Sequence, residues 1–348
     1  MKLNINSYLL LLFIAALLGG TACERNGTNT SSCVAFYNLE NLFDTINQEN
    51  VADEEFTAEG KKEWTPARYL EKLDNMARVI YQIGVSEMTP EGASLLGVCE
   101  LENASVMEDL ANTAILKERN YKYIHYDSPY YRGMDVALFY QPEHFTVISS
   151  SSHELNMPER EGFTTRAQLL VKGILKGDTI HVIVNHWPSR RGGEEGSRPL
   201  RIAAAKLCRS MVDSIFSADP EARIIIMGDL NDDPDDISIK KHLNTTKNRE
   251  AVTAYQFFNP FEDMHEPDSV GTLMYRGKWN LFDQILISAS LANAKGSSAA
   301  FIEAGIYKED YLIQQDGKYK GSPYRTFSWD EYISGYSDHL PVYVYLAK

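Results

Sequence analysis

The sequence predicts an α/β protein in which mixed β-sheets pack together beneath covering helices, and two patterns in its 348 residues support this. Strand-like runs recur along the chain, whereas only two segments have helical periodicity. Strands that outnumber helices in mixed order are typical of packed sheets flanked by helices. An apolar fraction of 44% and a charged fraction of 24% are ordinary for a globular protein and allow a large core.

Eight runs rich in β-branched, aromatic or other apolar residues predict strands. They are residues 34–37, 94–99, 136–140, 168–174, 179–184, 223–227, 284–287 and 341–345. Several runs are almost continuously apolar, which is typical of strands buried on both faces. We therefore expect sheets that are covered on both sides.

Two segments predict amphipathic helices, because their apolar residues recur at three- and four-residue steps. They are residues 66–83 and 199–216, and we expect Pro199 to lie in the first turn of the second helix. The acidic, polar residues 47–63 predict a surface loop. No linker separates these elements, so residues 33–348 are expected to form one domain, which we expect to be a monomer.

The first 22 residues are typical of a secretory signal peptide. Met1 and Lys2 precede an apolar run over residues 8–18, and small residues follow it. A short basic start, a short apolar core and small residues before a cleavage site distinguish such a signal from a membrane-spanning helix. We therefore expect residues 1–22 to be removed and the protein to be exported.

Cys23 follows the small residues Gly-Gly-Thr-Ala, an arrangement that resembles the lipidation site of bacterial lipoproteins, although an aliphatic residue is usual at Gly20. Plain secretory cleavage is the alternative. The polar composition of residues 23–32 predicts a flexible tether. The mature protein would then be anchored to a membrane through a lipid on Cys23, in the periplasm or at the cell surface.

The net charge of −14 argues against a protein that coats nucleic acid non-specifically, because such binding depends on neutralising phosphates with Lys and Arg. An enzyme that acts on phosphate in a metal-loaded pocket is not excluded, since a carboxylate site is acidic until the metal binds. The four Cys lack CxxC spacing, which argues against zinc-finger and redox centres. We expect Cys99 and Cys208 to be buried as small apolar side chains.

The chemically informative residues lie where predicted strands end. After the apolar residues 224–227, Gly228 allows a close backbone approach, and Asp229 and Asn231 follow. Two residues apart in an extended chain, these two side chains would point to the same side and could hold a water and a phosphate oxygen together. The alternative is a capped turn, because Asp, Asn and Pro are common in turns.

Asp338 and His339 directly precede the last predicted strand. The carboxylate is a hard oxygen ligand of the kind that Mg²⁺ prefers, and the imidazole titrates near neutral pH. The alternative is a histidine that only stabilises a loop.

Three other predicted strands also end in polar residues, namely Asn38 and Glu40, Glu100 and Glu102, and His186. A Glu at the end of a buried run is costly unless it is paired or binds metal. For Glu102 a position at the start of a helix is an equal alternative.

Taken in chain order, these five segments resemble the endonuclease/exonuclease/phosphatase superfamily, which includes pancreatic deoxyribonuclease, abasic-site endonucleases, inositol polyphosphate phosphatases and bacterial sphingomyelinases. The resemblance extends over nearly the whole mature chain. Its most specific parts are Gly-Asp-Leu-Asn at 228–231 and Ser-Asp-His at 337–339, with the His186 strand before them. It implies a four-layer α/β/β/α sandwich, with two mixed β-sheets face to face between helices.

The resemblance also implies roles for the matching residues. A metal ion, Mg²⁺ or else Mn²⁺ or Ca²⁺, would be held by Asn38, Glu40, Glu100 and Asp338. Catalytic roles would fall to His186, Asp229, Asn231, Asp283 and His339. Among these, His186 would contact the scissile phosphate or protonate the leaving group, Asn231 would hold a phosphate oxygen, and Asp283 would orient His339. Either Asp229 or His339 would take the proton from the attacking water.

Two arginines precede apolar strands on the same rim and could bind substrate phosphate, with a surface role as the alternative; they are Arg132 and Arg166. Residues 189–198, rich in glycine and arginine, follow the His186 strand and could gate or grip a phosphorylated substrate. A solvated surface loop is the alternative there.

Four functions remain open from the sequence. An exported nuclease and a phosphatase or phosphodiesterase for a small phosphorylated sugar, inositol phosphate or lipid headgroup are nearly equal. The acidic net charge and the lack of an aromatic and basic track argue against the nuclease, whereas the commonest members of the family argue for it. A non-catalytic binding module is remote, because the motifs are intact. A metal-free esterase would need a GxSxG segment, which the sequence lacks.

Cys23→Ala should abolish lipid attachment, because the thiol of Cys23 is the only predicted acylation point at the predicted cleavage site. Metabolic labelling with palmitate, followed by purification of the protein, measures this. Cys33→Ala serves as a matched control and should keep the label. Label that survives in the Cys23 variant would show that the anchor prediction is wrong.

Overall fold

A computed structural model describes residues 31–294 and 298–348. The predicted signal peptide and residues 23–30 of the predicted tether, including Cys23, lie outside the described residues. Ser32 is buried and begins the first strand, so the last residue of the predicted tether belongs to the folded domain. Among the described residues, no helix combines the length and the apolar character needed to span a membrane.

The described residues form 17 strands and four α-helices, and most of the strands follow another strand directly along the chain. The strands are β1 Ser32–Leu42, β2 Ala93–Leu101, β3 Lys122–His125, β4 Asp135–Tyr140, β5 Phe145–His153, β6 Gln168–Leu175, β7 Asp178–His186, β8 Arg223–Asp229, β9 Thr245–Thr246, β10 Phe257–Phe258, β11 Leu273–Tyr275, β12 Lys278–Asn280, β13 Asp283–Ser288, β14 Ala300–Ile306, β15 Phe327–Ser328, β16 Glu331–Tyr332 and β17 Val342–Ala347. The α-helices are α1 Pro66–Gln82, α2 Ala104–Ala111, α3 Glu194–Ala218 and the four-residue α4 Ala289–Ala292, and a π-helix spans Ser238–Asn244. All eight predicted strands and both predicted helices are present.

Two mixed sheets carry the fold. The first has the strand order β14-β17-β1-β2-β4-β3, in which β1 and β2 are parallel and the other pairs are antiparallel. The second has the order β5-β6-β7-β8-β13-β10-β9, in which β7 and β8 are parallel, as are β9 and β10. Short hairpins, β11-β12 and β15-β16, lie outside both sheets.

The sheets pack face to face, and helices cover their outer faces. Val34 and Phe36 of β1 point into the layer between the sheets, whereas Ala35 and Tyr37 point toward α1 and α2. This alternation explains why the strand is apolar at every position. The outer face of the second sheet packs on α3 in the same way. The predicted four-layer α/β/β/α sandwich is therefore confirmed.

One helix start differs from the prediction. Helix α3 begins at Glu194, so Pro199 lies inside the helix and not in its first turn. The early start is held by polar contacts that a search for apolar periodicity misses. Arg201 is fully buried, and its Nη1 donates to the hydroxyl of Ser197 at 2.7 Å. Half of the predicted loop 189–198 is therefore helical.

The elements that the sequence pattern missed are exposed or short. Strand β5 contains four consecutive serines and lies at an edge of its sheet, where one side needs no apolar residues. Helix α2 has only eight residues, too few for a clear periodicity. The predicted surface loop 47–63 also has a core contact, because Phe56 is buried and stacks on Phe43. Cys99 and Cys208 are buried, as predicted.

Gly228→Ala should lower the free energy of unfolding by about 1–3 kcal/mol, the usual cost of overpacking. A Cβ at this position would collide with the carbonyl oxygen of Asn185 in the neighbouring strand β7, which is backbone and cannot move aside. Urea denaturation followed by circular dichroism measures the change.

The matched control is Gly196→Ala in α3, where a Cβ would meet no atom within 4 Å. That variant should gain about 0.5–1 kcal/mol, because alanine restricts the unfolded chain. Equal stability of the two variants would contradict the close approach of β7 and β8.

Candidate active site

Three strand ends of the second sheet place a row of polar side chains at one edge. Strand pairing sets His186 of β7 beside Asp229 of β8, and Asp283 of β13 beside Asp229 on its other flank. Residues paired across neighbouring strands project to the same face of a sheet. All three side chains are buried. Because β13 is antiparallel to β8, Asp283 at the start of β13 lies at the same edge as Asp229 and His186, which end β8 and β7.

The first sheet contributes Asn38 from β1 and Glu100 from β2, whose parallel pairing brings their ends to the same edge. Asn38 Nδ2 donates to Glu100 Oε1 at 3.3 Å and to Asp229 Oδ2 at 3.1 Å. Because the sheets lie face to face, one amide therefore links a carboxylate of each sheet. The candidate site is built across the interface between them.

A local distortion aims Glu100 at this point. The pairing of β2 with β4 shifts register between Cys99 and Leu101, and Glu100 has a φ of 60°. Such bulges redirect a side chain at the end of a strand. Glu100 Oε2 accepts a hydrogen bond from the backbone N–H of Asn41 at 3.0 Å, and Asn41 itself has a φ of 53°. Left-handed, non-glycine residues of this kind often concentrate at functional sites.

Asp229 is the centre of the cluster. Its Oδ2 lies 3.5 Å from His186 Nε2 and 3.8 Å from His339 Nε2. Burial raises the pKa of Asp229 to about 7; the charge of His339 opposes this rise, whereas the charges of Asp283 and Glu100 add to it. The carboxylate can therefore exchange a proton near neutral pH.

The two histidines of the site differ in protonation. Burial alone would lower the pKa of His339, but Asp283 and Asp229 outweigh burial and hold that pKa well above its ordinary value. His339 Nδ1 lies 2.6 Å from Asp283 Oδ2, so the charged imidazole donates to this carboxylate and turns Nε2 toward Asp229. Burial, followed by the positive charge of Arg166, holds the pKa of His186 well below its ordinary value. At neutral pH His186 is therefore neutral and His339 is charged.

A turn, and not an extended strand, brings Asn231 close to Asp229. Asn231 has a φ of 52°, and its backbone N–H donates to Asp229 Oδ1 at 3.0 Å, which makes a turn. Its side-chain Nδ2 donates to the carbonyl oxygen of Trp187 at 3.0 Å. The capped turn therefore forms part of the candidate site. The extended geometry that was expected for Asp229 and Asn231 is wrong.

The side chains around Asn38 fit a divalent cation by their donor chemistry. Two carboxylates, from Glu100 and Asp229, converge on one amide, and the charge of Glu100 adds to the rise that burial causes in the pKa of Asp229. Oxygen donors with excess negative charge are what Mg²⁺, Mn²⁺ and Ca²⁺ bind. Burial raises the pKa of the nearby Cys99 thiol well above its usual range, so that thiol stays protonated and the donor set is hard.

The other two predicted metal ligands, Glu40 and Asp338, lie in an adjoining cluster joined by Arg325. The Arg325 guanidinium pairs with Asp338, and its Nε lies 3.5 Å from Glu40 Oε1. Glu40 Oε2 accepts from the backbone N–H of Thr326 at 2.6 Å. Burial raises the pKa of Glu40 to about 7, although Lys72 and Arg325 oppose this. Their metal ligation stays a prediction, as do the roles assigned to the other site residues.

The sequence does not single out Arg325, because no predicted strand or recognised motif lies beside it. Lys72 was also missed, since a helical lysine normally indicates a solvated face. It is fully buried, donates to Thr326 Oγ1 at 2.5 Å, and burial lowers its pKa to about 8. No local pattern distinguishes either residue from ordinary surface cations.

The two predicted phosphate-binding arginines have different surroundings. Arg166 is buried, donates to the carbonyl oxygen of Trp187 at 2.8 Å and lies over the ring of Tyr130, so its surface alternative is wrong. Arg132 is partly exposed and lies 3.9 Å from Glu55. Both act electrostatically on His186, which places them on the rim of the site as expected.

Arg190, in the predicted gripping loop, is bound to protein groups. Its Nε donates to the carbonyl oxygen of Asn231 at 3.0 Å, and its Nη2 lies 2.7 Å from Asp236 Oδ2. Arg201 supports the segment after β8 through Asp232, whose Oδ1 lies 2.5 Å from the guanidinium. Arg190 therefore holds the backbone after β8 in place and is not free to grip a substrate.

The chain matches a known protein family over almost its whole length. The model of a family described as endonuclease/exonuclease/phosphatase matches residues 33–348. None of the curated proteins compared with the chain matches it.

Solved structures with a similar fold include a humanized TDP2 from D. rerio, with 14% identity, a TM-score of 0.53, and coverage of 92% of this chain and 100% of that chain. Another is a mannosyl-6-phosphatase from Bacteroides thetaiotaomicron, with 16% identity, a TM-score of 0.54, and coverage of 91% and 100%. A truncated TDP2 from Caenorhabditis elegans has 15% identity, a TM-score of 0.52, and coverage of 91% and 98%. Identities this low establish a shared fold only.

Asp283→Asn should lower the pKa of His339 toward its ordinary value, because the variant removes the carboxylate charge that favours the imidazolium. NMR titration of the histidine ring protons in metal-free protein measures it. Asp135→Asn is a matched control, since Asp135 is also buried and contacts another histidine, His125, at 2.8 Å. An unchanged His339 pKa in the Asp283 variant, or an equal fall in both variants, would contradict the assignment.

Proposed function

We propose, from the premise that the chain belongs to the endonuclease/exonuclease/phosphatase family, that this phosphoesterase is exported and uses a divalent metal ion to hydrolyse phosphodiester bonds of nucleic acid. The observation that carries the proposal is the surroundings of Asp229. A buried carboxylate with a pKa of about 7 lies between a neutral and a charged histidine, beside a second carboxylate and an amide. These groups are what hydrolysis of a phosphoester requires.

Glu100 and Asn38 would hold the ion, with Mg²⁺ as the expected metal. When bound, the ion supplies Lewis-acid polarisation of a phosphate oxygen and neutralises charge. Glu40 and Asp338, which lie beside Arg325, would add further negative charge near the ion.

Asp229 is proposed as the group that orients the attacking water and takes its proton. A general base works best when its pKa is near the working pH, and burial gives Asp229 a pKa of about 7. His339 is less suited to this role, because Asp283 and Asp229 keep it protonated. The backbone N–H of Asn231 fixes the carboxylate through Asp229 Oδ1.

His339 and His186 are proposed as donors to the phosphate oxygens. The charged imidazole of His339 is oriented by Asp283 and presents Nε2 to the site, where it can stabilise developing negative charge. Neutral His186 can donate one hydrogen bond through Nε2, but its low pKa makes it a poor acid for the leaving group. Contact with the scissile phosphate is therefore its favoured role. Arg132 and Arg166 add positive potential at the rim.

A second candidate is a phosphatase or phosphodiesterase for a small phosphorylated sugar, inositol phosphate or lipid headgroup. The net charge of −14 favours it, because a long polyanion would be repelled by most of the surface. One structure of similar fold is a mannosyl-6-phosphatase, which is compatible with this candidate. The location proposed for either activity is the periplasm or cell surface, with Cys23 as the lipid anchor.

The mature protein should be incubated with Mg²⁺ or Mn²⁺ and a panel of substrates. The panel comprises supercoiled plasmid, single-stranded DNA, RNA, mannose 6-phosphate, inositol phosphates, sphingomyelin and bis-p-nitrophenyl phosphate. Hydrolysis of nucleic acid that stops in excess chelator supports the main proposal. Turnover of small phosphoesters alone selects the second candidate, and no turnover with metal binding confirmed by calorimetry rejects both.

Asp229→Asn and His339→Ala should each lower kcat by roughly two to four orders of magnitude, the usual contribution of a general base or a positioned charged donor. Steady-state kinetics on the preferred substrate measure this. The matched controls are Asp219→Asn and His144→Ala, on loops at the opposite ends of the strands, and they should retain activity. Falls smaller than about tenfold in both site variants would remove these residues from the mechanism.

A further inference from the structure

Trp329 is the most exposed large apolar side chain in the described part of the chain, with 78% of its surface accessible. It is the first of two residues that connect β15 to β16, since Ser328 pairs with Glu331. Its φ is 60°, a conformation in which glycine or asparagine is usual in such turns. A bulky residue in that conformation is a genuine outlier, and outliers of this kind concentrate at functional sites.

The indole of Trp329 is held in a fixed position. Its Nε1 donates to the hydroxyl of Tyr319 at 3.1 Å, and Lys62 Nζ donates to its backbone carbonyl at 2.5 Å. At the base of the hairpin, Phe327 packs on Trp64 in the outer core, with ring centroids 5.6 Å apart. The ring is therefore both exposed and pre-positioned, as a stacking surface should be.

The hairpin lies next to the candidate active site. Thr326, directly before β15, contacts Glu40, and Arg325 pairs with Asp338. Three residues of extended chain span at most about 10 Å, so Trp329 is within that distance of Thr326 along the backbone. A substrate that places one phosphate at Asp229 can reach the indole within a few nucleotide lengths.

Two cations flank the aromatic pair. Lys318 and Lys320 are exposed on either side of Tyr319, and Lys318 Nζ lies 5.3 Å from the centre of the Tyr319 ring. Neither lysine forms an ion pair within the described residues, whereas Lys61 and Lys62 both pair with Asp330. On a chain with a net charge of −14, these two lysines offer cations without a carboxylate partner among the described residues, beside an exposed aromatic surface.

We propose that Trp329, Tyr319, Lys318 and Lys320 form a platform that binds single-stranded nucleic acid beside the active site. One unpaired base stacks on Trp329, and backbone phosphates contact the two lysines. Aromatic side chains interleaved with cations bind single strands in this way, because every unpaired base has a face that can stack. The proposal rests on the proposed nuclease function and names the strand form of its substrate.

The charge and the aromatic surface together favour a strand over other occupants. A duplex keeps its bases stacked on each other, so the indole would have no base to bind. A small sugar phosphate that occupies the active site carries no second phosphate for Lys318 and Lys320. Only a chain with repeating phosphates and open bases uses all four residues at once.

Binding of fluorescein-labelled dT12 to the full mature protein in excess EDTA tests the platform without any hydrolysis. Fluorescence anisotropy should show that Trp329→Ala and the double variant Lys318→Ala/Lys320→Ala each weaken binding about tenfold, since one stacked base or two phosphate contacts are lost. Trp329→Tyr should restore most of the affinity, because it retains a stacking ring. That rescue separates loss of the ring from a disturbed hairpin.

Matched controls come from the opposite ends of the strands. Tyr255 is also an exposed aromatic residue with a positive φ, of 65°, and Tyr255→Ala should leave binding unchanged. Lys122→Ala is the corresponding control for charge. Trp329 also offers a direct signal, because Trp64, Trp187 and Trp279 are buried. Stacking should quench the red-shifted emission of wild type but not of Trp329→Ala.

The outcomes separate this proposal from the proposed function. Equal affinity for dT12 in wild type and Trp329→Ala, or equal affinity of wild type for a duplex of the same length, would overturn the platform. If nucleic acid is hydrolysed in that case, the nuclease function stands without it. If dT12 binds through Trp329 but no nucleic acid is hydrolysed with metal, the platform stands and the nuclease function fails.

Discussion

The buried carboxylate of Asp229 is the charge on which the arrangement of the site depends. Burial disfavours the ionised form of this carboxylate and raises its pKa to about 7. The groups around Asp229 therefore determine how readily it gives up its proton. Asn38 reaches it from the first sheet, and His339 and His186 flank it within 4 Å. Asp283 in turn keeps His339 charged. Each of these contacts joins residues that lie far apart in the sequence.

Strand direction and register make these contacts possible. Because β1 is parallel to β2 and β7 is parallel to β8, the C-terminal ends of the strands in each pair lie side by side. Strand β13 is antiparallel to β8, so its first residue lies beside the last residue of β8. The cost of the arrangement is local backbone strain, seen as positive φ at Glu40, Glu100 and Asn231. Two well-packed sheets support these strained residues, because the apolar layers on both sides hold the strand ends in place.

Arginines around the site mainly hold loops. Arg166 bonds the backbone of Trp187, Arg190 bonds that of Asn231, and Arg325 joins Glu40 to Asp338. Each cation satisfies buried carbonyls or carboxylates that would otherwise be unpaired. In the proposed mechanism, positive charge toward the phosphate comes from His339 and the metal ion, and Arg132 and Arg166 add positive potential at the rim. Lys318 and Lys320 belong to the separate surface proposed near Trp329. The division suits an enzyme whose overall surface is acidic.

The sequence by itself determined the features that depend on neighbours along the chain. Runs of β-branched, aromatic and other apolar residues predicted the eight strands, and three- and four-residue apolar steps predicted α1 and α3. Polar residues beside the strand ends singled out Glu100, His186, Asp229 and His339. Only the tertiary structure decided the rest. Asn231 is placed by a turn, and the start of α3 is fixed by Arg201. Arg325 contacts Asp338, 13 residues further along the chain, and Glu40, which lies in the first strand and is distant in the sequence. The aromatic and basic surface also has no local sequence signal, because Tyr319 and Trp329 meet through a hairpin whose position depends on the folded core.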